Sequence, residues 1–316
     1  MAFIEQPFRP VTADAGLELA EQLERAQEIL RHGGVSVPAG NRLQLAARLL
    51  RRVYGAGKFA SDRRSLLTVG NAIRLAFNAA QIAHALSGGI PVGLRDIVPR
   101  FLGGGLEDVG SSAAHHAQTE LVVGAICAAG GLKPRVPRPR DGKAPDLVVH
   151  ARGLDICLEV KRLASSARVE ESIREGLKQC VEFGSNYNAI FLDVSDILIP
   201  DAATAITDER EALQLARRFA PIWQTASNVL TRRAAEKPYR TALFLGLAAD
   251  AFVWRIDAKG EVGPAARFFT YQEVFRGAAS GLLIDQSHDL RDRFVRGMEE
   301  LGVKVRQFRP GLADGS

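Results

Sequence analysis

The stretch Ala144-Pro-Asp-Leu-Val-Val-His-Ala-Arg-Gly-Leu-Asp-Ile-Cys-Leu-Glu-Val-Lys-Arg162 decides the fold of this chain. Two short runs rich in apolar and β-branched residues, at 145–151 and 154–162, predict a β-hairpin. Because successive side chains of a strand point to opposite faces, Glu159 and Lys161 share one face of the second strand. Charged side chains on a central, otherwise apolar strand are costly unless they are paired or bind something. The stretch therefore predicts a functional site as well as a fold.

The register of this hairpin determines which side chains face each other. A two-residue turn at Arg152-Gly153 places Asp146 directly opposite Glu159, with Cβ atoms about 5 Å apart. Arg-Gly is a weaker turn signal than Asn-Gly, so a shifted register that places Asp146 opposite Lys161 stays open. Two facing carboxylates repel each other unless a hard divalent cation lies between them, and such oxygen ligands suit Mg²⁺ or Mn²⁺.

A helix predicted at 113–129 carries a carboxylate in an unusual place. The residues three, four and seven positions from Glu120 are small and mostly apolar, so Glu120 lies on a stripe that faces the protein rather than solvent. A glutamate in that position needs a cation nearby. His116 shares the stripe, and we interpret it as a surface or neighbouring group because it lies in the first turn of the helix.

The order of these residues resembles a known family. A glutamate on a first helix (Glu120), then Pro145-Asp146, then Glu159-Val160-Lys161 is similar to the motif of the PD-(D/E)xK nuclease superfamily, which includes restriction-endonuclease-like enzymes and junction resolvases. The resemblance covers about residues 113–196. It implies an α/β fold in which a small mixed sheet is flanked by helices, the restriction-endonuclease-like core.

The helix after the hairpin extends the resemblance and also departs from it. Its sequence Gln179-Cys-Val-Glu-Phe183 looks like the QxxxY element of the RecB-like branch, with phenylalanine in place of tyrosine. The substitution removes a hydroxyl group and puts membership of that branch in doubt. By resemblance, Gln179 is a catalytic residue that positions the water or contacts the substrate backbone.

The resemblance also implies a mechanism. Asp146, Glu159 and the backbone carbonyl of Val160 would hold Mg²⁺, with Mn²⁺ tolerated, and the ion would lower the pKa of a bound water. Lys161 would orient or polarise the attacking water and offset the charge that develops on the phosphorus. Glu120 would bind the metal through water, or a second metal directly.

The regions on either side of this core have different patterns. The chain has 316 residues, and its length suggests about two domains. We predict an all-α N-terminal region at 1–105 with no strand signal, a nuclease core at 110–200, and an α+β C-terminal extension at 201–316 that completes the sheet and packs on the core. The elements expected in the two flanks are helices at 12–32, 40–54 and 62–86, then a helix at 208–236, strands at 241–247, 252–257 and 265–270, and a helix at 285–301.

Basic residues are clustered unevenly along the chain. The net charge is +5, yet the segment from Arg42 to Arg74 alone carries +7. Clusters of this kind are typical of surfaces that bind phosphate backbones. The residues predicted to contact nucleic acid are Arg48, Arg51, Arg52, Arg63, Arg64, Arg138, Arg140, Lys143 and Arg162.

The composition restricts the location and the class of partner. No apolar run reaches the roughly 20 residues of a membrane helix, so we expect no membrane partner. Three cysteines without a CxxC spacing indicate a reducing compartment, and a cytoplasmic location is expected. The expected partner is nucleic acid, with DNA favoured over RNA, in a host-defence, mobile-element or repair context. A homodimer, a partner protein, a ribonuclease using the same site and an inactive nuclease-like binding protein all stay open.

Overall fold

The structure, a computed structural model, describes residues 3–56, 62–87, 92–106, 113–138, 144–184, 187–199, 204–236, 242–259, 261–275 and 281–301. Its strands are β1 (Phe3–Pro10), β2 (Leu147–Ala151), β3 (Leu154–Arg162), β4 (Asn188–Asp193), β5 (Ala205–Ile206), β6 (Ala242–Ile256) and β7 (Val262–Phe275). Its helices are α1 (Ala13–His32), α2 (Arg42–Ala56), α3 (Arg63–Leu86), α4 (Val98–Leu102), α5 (Ala113–Ala129), α6 (Val169–Glu182), α7 (Ser195–Leu198), α8 (Glu209–Arg217), α9 (Phe219–Ala234) and α10 (Gly281–Glu300).

The strands form one mixed sheet between two layers of helices. The strand order is β1-β7-β6-β4-β3-β2, and β5 pairs with β6 outside this path. Strands β3, β4 and β6 run parallel to one another, while the outer pairs are antiparallel. Side chains on one face of the sheet pack with α1, α2, α3, α5 and α10, and those on the other face pack with α6, α7, α8 and α9. The predicted class, a mixed α/β fold with helices flanking the sheet, is confirmed.

The helices of the N-terminal region follow the sequence signals closely. Helix α1 begins after Thr12, whose side chain accepts a hydrogen bond from the Ala15 N–H at 3.3 Å. Helix α3 begins after Asp62, whose carboxylate accepts from the Ser65 N–H at 2.9 Å. Both residues satisfy backbone donors that the first turn of a helix leaves without partners. The predicted boundaries agree with those observed to within two residues.

The prediction that the N-terminal region is all-α is wrong. Residues Phe3–Pro10 form β1, which pairs antiparallel with β7 and is the last strand in the sheet order. The register shifts between Gln6 and Arg9, around Pro7, and a proline without an N–H is tolerated in an edge strand. The partner strand lies near the other end of the chain, so the local pattern of these eight residues carries no signal for the pairing.

The C-terminal region differs from the sequence prediction in two places. The helix expected at 208–236 is divided into α8 and α9, because Pro221 has no N–H to donate to the carbonyl of Arg217, where α8 ends. The strands expected at 241–247 and 252–257 are one continuous strand, β6. Asp250, which interrupts the apolar pattern, stays in the strand, and its N–H donates to Ser195 Oγ at 2.8 Å.

A short helix that the sequence did not predict lies beside the core. Helix α4 buries Phe101 and Leu102, whereas Arg100 points outward. Helix α4 packs against α5, which carries Glu120. In the described part of the chain, no helix has an apolar stretch of the length needed to cross a lipid bilayer.

Helices α5 and α10 approach each other at glycine. A Cβ added to Gly297 would lie 1.9 Å from the carbonyl oxygen of Ile126. We expect Gly297→Ala to lower the free energy of unfolding by about 1–3 kcal/mol, because the two helices must separate. Denaturant unfolding measures the change. Gly55→Ala, in helix α2 with open space around it, is the matched control and should be neutral or slightly stabilising. An equal loss in both variants would contradict this account of the contact.

Candidate active site

The β2–β3 hairpin has the register that places Asp146 opposite Glu159. Leu147 pairs with Leu158 and Ala151 pairs with Leu154, so the turn consists of Arg152 and Gly153. Both turn residues have positive φ, 44° and 81°, as a tight two-residue hairpin requires. The predicted two-residue turn is confirmed, and the shifted register is excluded.

Asp146 and the strand β3 are joined by two hydrogen bonds. The N–H of Asp146 donates to Glu159 Oε2 at 3.2 Å, and the N–H of Val160 donates to Asp146 Oδ2 at 2.8 Å. Asp146 immediately precedes β2, so its backbone is not constrained by the strand ladder. These two bonds therefore fix the position of its carboxylate relative to Glu159.

Glu159 is completely buried at the centre of the site. Its side chain has 0% exposure and forms an ion pair with the ammonium group of Lys161. A Cβ at Gly176 of α6 would lie 3.1 Å from Glu159 Cγ, so the glycine leaves room for the carboxylate under the helix. Lys161 is 27% exposed and reaches from this buried pair toward solvent. The side chains of β3 alternate between the two faces of the sheet as predicted, because Leu158 and Val160 pack in the larger hydrophobic core on the opposite face.

Glu120 reaches the same site from α5. The residue is 7% exposed, and its Oε2 accepts a hydrogen bond from Arg100 Nη2 at 2.7 Å. The charges of Asp146 and Lys161 both act on it. The structure thus brings together Glu120, Asp146, Glu159 and Lys161. Sequence reasoning missed Arg100, because α4 is too short for a periodic signal and nothing in the local pattern associates it with α5.

Burial raises the pKa values of the three acids. Burial, followed by the charge of Asp146, raises the pKa of Glu159 to about 8 and also raises that of Glu120. Burial raises the pKa of Asp146 as well, opposed by the Val160 N–H and Lys161. Burial disfavours the charged form of Lys161, but the Glu159 carboxylate outweighs it and raises the lysine pKa. The site is therefore an acidic cluster with too little solvent to stabilise its charge.

Two further side chains, His116 and Gln179, lie close to the site. His116 is partly exposed, and burial, followed by the charge of Arg162, lowers its pKa, while Asp146 opposes this. The histidine therefore lies within electrostatic reach of the acids, although the sequence suggested a peripheral role. Gln179 Nε2 donates to the carbonyl of Ala144 at 2.6 Å, two residues before Asp146. The glutamine thus holds the segment that carries the aspartate.

Arg162 does not occupy the place that the sequence suggested. Its side chain is 3% exposed, and its Nε and Nη2 donate to Asp196 at 2.7 Å each. Burial disfavours ionisation of Asp196, but the guanidinium of Arg162 outweighs it and holds the Asp196 pKa well below its usual range. The prediction that Arg162 contacts phosphate is corrected: Arg162 lies on the opposite face of β3 from Lys161 and joins β3 to α7.

The other predicted phosphate contacts are distributed over the surface. Arg48, Arg52, Arg63, Arg64 and Arg138 are exposed, and Arg51 is exposed but forms an ion pair with Glu24 at 2.6 Å. Arg140 and Lys143 lie outside the described residues. Two further arginines of the basic segment are buried. Arg42 donates to Gln118 at 3.1 Å, and Arg74 donates to Asp196 at 3.3 Å. The net charge of that segment therefore overstates the positive surface available to a polyanion.

Comparisons with known proteins do not assign this site. Nothing matched the chain among family models, curated proteins or solved structures. Within the residues that the structure describes, no group of three or more His, Cys, Asp or Glu side chains is arranged to hold a metal ion. The interpretation of the site therefore rests on its own geometry and charge.

The raised pKa values predict that one site acid destabilises the metal-free protein. A carboxyl group whose pKa is higher in the folded than in the unfolded state makes the fold less stable as the pH rises. The loss occurs between the unfolded-state pKa and the folded-state pKa. Asp146→Asn removes a charge, keeps an oxygen for the Val160 N–H and lowers the repulsion on Glu159. In EDTA, we expect the variant to unfold at higher denaturant concentration than wild type at pH 8–9, with the difference shrinking toward pH 5.

Asp155→Asn is the matched control for this experiment. Its hydrogen bonds with His150 and Arg135 lower the pKa of Asp155, so this exposed carboxylate stabilises the fold above its unfolded pKa. Replacing it should lower the free energy of unfolding at neutral pH and leave that free energy unchanged in strong acid. If Asp146→Asn behaves like Asp155→Asn, the acids of the site do not repel one another as described.

Proposed function

We propose that this chain is a metal-dependent nuclease that hydrolyses phosphodiester bonds, with DNA favoured over RNA. The observation that carries the proposal is that Asp146, Glu159 and Lys161 are in direct contact around a buried acid, with Glu120 within electrostatic reach of them. The elements α5, β2, β3, α6 and β4 would then form a restriction-endonuclease-like core, as the motif resemblance implies. The order of the motif residues and the geometry of the site support the same chemistry independently.

The donor set fits a hard divalent cation such as Mg²⁺ or Mn²⁺. In the described residues, Asp146 Oδ1 has no hydrogen-bond partner, whereas Oδ2 is held by the Val160 N–H. Mg²⁺ usually keeps several waters and is held by one or two carboxylates plus substrate phosphate, so a complete protein cage is not needed. Asp146, Glu159 and the Val160 carbonyl would hold the ion, and Glu120 would act through a water. When bound, the ion would supply charge neutralisation and a water of lowered pKa.

The side chains of the site have separate roles in the proposed reaction. Lys161 is anchored on Glu159 and exposed at its tip, so its ammonium can orient the attacking water or stabilise negative charge on the phosphate. Asp146 presents one free oxygen toward the reacting groups, because its other oxygen is fixed to the backbone of β3. Gln179 is a positioning residue that holds the segment before Asp146. Each role uses a contact that exists before any substrate arrives.

One observation favours a second candidate, a nuclease-like protein that binds nucleic acid without cutting it. Lys161 and Arg100 already neutralise Glu159 and Glu120 within the chain, so the acids have partners without a metal. A ribonuclease with the same site is distinguished by its substrate. For either activity we propose a cytoplasmic location, because all three cysteines are free and buried.

Cleavage assays test the proposal. Purified protein is incubated with plasmid and with RNA in Mg²⁺, Mn²⁺ or EDTA. We expect metal-dependent cutting of DNA, and a loss of about 100-fold or more in Asp146→Asn and in Lys161→Ala, because each removes a charge that the transition state requires. Lys178→Ala is the matched control, since Lys178 is an exposed lysine on α6 that pairs only with Glu182 among the described residues.

Three outcomes separate the candidates. Cutting of RNA alone would identify a ribonuclease. Tight binding with no cutting in either metal would favour the binding protein and overturn the enzyme proposal. Cutting that survives in both site variants would show that another site, or a contaminant, is responsible.

Gln179 provides a separate test of positioning. Gln179→Met keeps the shape of the side chain and removes the donor to the Ala144 carbonyl. We expect the Mg²⁺ concentration for half-maximal rate to rise about 10-fold, as is typical when a supporting contact of a metal site is removed, with the KM for DNA unchanged. Gln224→Met, on the exposed surface of α9, should leave both values as in wild type. A rise in KM alone would mean that Gln179 contacts the substrate instead.

A further inference from the structure

A half-exposed arginine stands at the entrance of the site. The Arg100 side chain is 50% exposed, and the side chain of Glu120, with which it pairs, is 9% exposed. One of its five N–H donors is given to Glu120 Oε2 at 2.7 Å. Across the described residues no other partner of Arg100 is found. Its remaining donors are therefore available to a substrate phosphate.

A groove with basic walls begins a short distance away. It has a volume of about 680 Å³ and is formed by α2, α3 and the segment after α4. Arg48 and Arg52 line it together with the apolar side chains of Leu45, Leu49 and Leu106. We call it the α2–α3 groove. Leu45 is 40% exposed, so part of the apolar lining of the groove faces solvent.

The site and the groove are connected by a short piece of backbone. Gly105, which lines the α2–α3 groove, follows Arg100 by five residues, so the two Cα atoms are at most about 18 Å apart. A stacked nucleic acid strand rises about 3.4 Å per nucleotide, so about five nucleotides cover that distance. A single strand with its scissile phosphate near Arg100 can therefore reach the groove.

The charges of the groove indicate which occupant it accepts. Arg51, between the two groove arginines in sequence, pairs with Glu24, but neither Arg48 nor Arg52 has an acidic partner in the described part of the chain. Two uncompensated guanidinium groups suit phosphates. The leucines suit the apolar faces of bases, which a duplex keeps stacked in its interior and a single strand exposes. An occupant with both features is a single nucleic acid strand.

We propose that Arg100 and the α2–α3 groove form one binding track for a single strand. Arg100 contacts a phosphate next to the scissile bond, and Arg48 and Arg52 hold the backbone about five nucleotides away or fewer. The cleavage part of this inference rests on the proposed nuclease function, whereas the binding part does not. Such a track favours a single strand or an unpaired end over an intact duplex as the substrate.

Binding without cleavage tests the track directly. The anisotropy of a fluorescein-labelled 12-nucleotide DNA is measured in EDTA over a range of salt concentrations. We expect Arg100→Gln, which keeps donors for Glu120, and the double variant Arg48→Ala/Arg52→Ala each to weaken binding several-fold. For every phosphate that a variant no longer binds, the slope of log K against log salt should fall by about 0.7. Arg95→Ala, an exposed arginine five residues before Arg100 in sequence, and Arg25→Ala, an exposed arginine on α1, are the matched controls.

The result also decides between single and double strands. The proposal requires wild type to bind the single strand more tightly than a duplex of the same length, and equal or reversed preference would overturn it. Unchanged binding in Arg100→Gln and in the double variant would overturn the track as well. Unfolding curves of each variant confirm that the fold is retained, which the exposure of the three arginines leads us to expect.

Cleavage of a length series then separates this inference from the proposed function. If wild type cuts strands of 8 and 12 nucleotides faster than a 4-nucleotide strand, and the double variant loses only that advantage, the track is supported. If wild type cuts neither DNA nor RNA, the nuclease proposal fails while the binding data still decide the track. If cutting is normal and independent of length and of the arginines, the track fails while the nuclease stands.

Discussion

A carboxylate without exposed surface, Glu159, lies in the middle of this sheet, and the surrounding structure is arranged to accommodate it. An isolated buried carboxylate is strongly disfavoured, so each of its oxygens must be satisfied by the protein. The ammonium of Lys161 and the backbone N–H of Asp146 supply this, and the glycine at position 176 lets α6 cross close above it. The second partner exists only because the hairpin register places Asp146 opposite. The hairpin turn, the close packing of α6 and the ion pair with Lys161 are therefore all needed to accommodate this one carboxylate.

This dependence explains why the centre of the site could be predicted from the sequence. The alternation along β3 and the two-residue turn are local properties, and together they determine which residues face Glu159. The stripe on α5 that contains Glu120 is also local, because it follows from helical periodicity. None of these inferences requires knowledge of the distant parts of the chain. The partner of Glu120 does require it, since Arg100 belongs to a helix of five residues.

The wrong predictions concern features that depend on distant parts of the chain. Strand β1 forms only because β7, near the other end of the chain, offers an edge, and no pattern within Phe3–Pro10 anticipates it. Arg162 was expected to contact phosphate, yet alternation along β3 places it on the opposite face from Lys161, where it pairs with Asp196. Counting the basic residues of a segment treated Arg42 and Arg74 as surface charges, whereas both are buried with polar partners. A charge in the sequence becomes a surface property only after the packing is known.

The two ion pairs of the site differ in how easily they can be exchanged for other partners. Lys161 and Glu159 are two residues apart on one strand, and the glutamate is fully buried, so the strand itself holds this pair in place. Arg100 and Glu120 come from separate helices, and the arginine is half exposed. Solvent reaches the arginine, so Arg100 can exchange Glu120 for another anion, provided that another cation takes its place beside the buried glutamate. In the proposed nuclease, Glu120 would turn toward the metal ion while Arg100 turned toward a phosphate, and the buried pair that fixes the strand would stay in place. The site thus combines a rigid half on β3 with an adaptable half on α4 and α5.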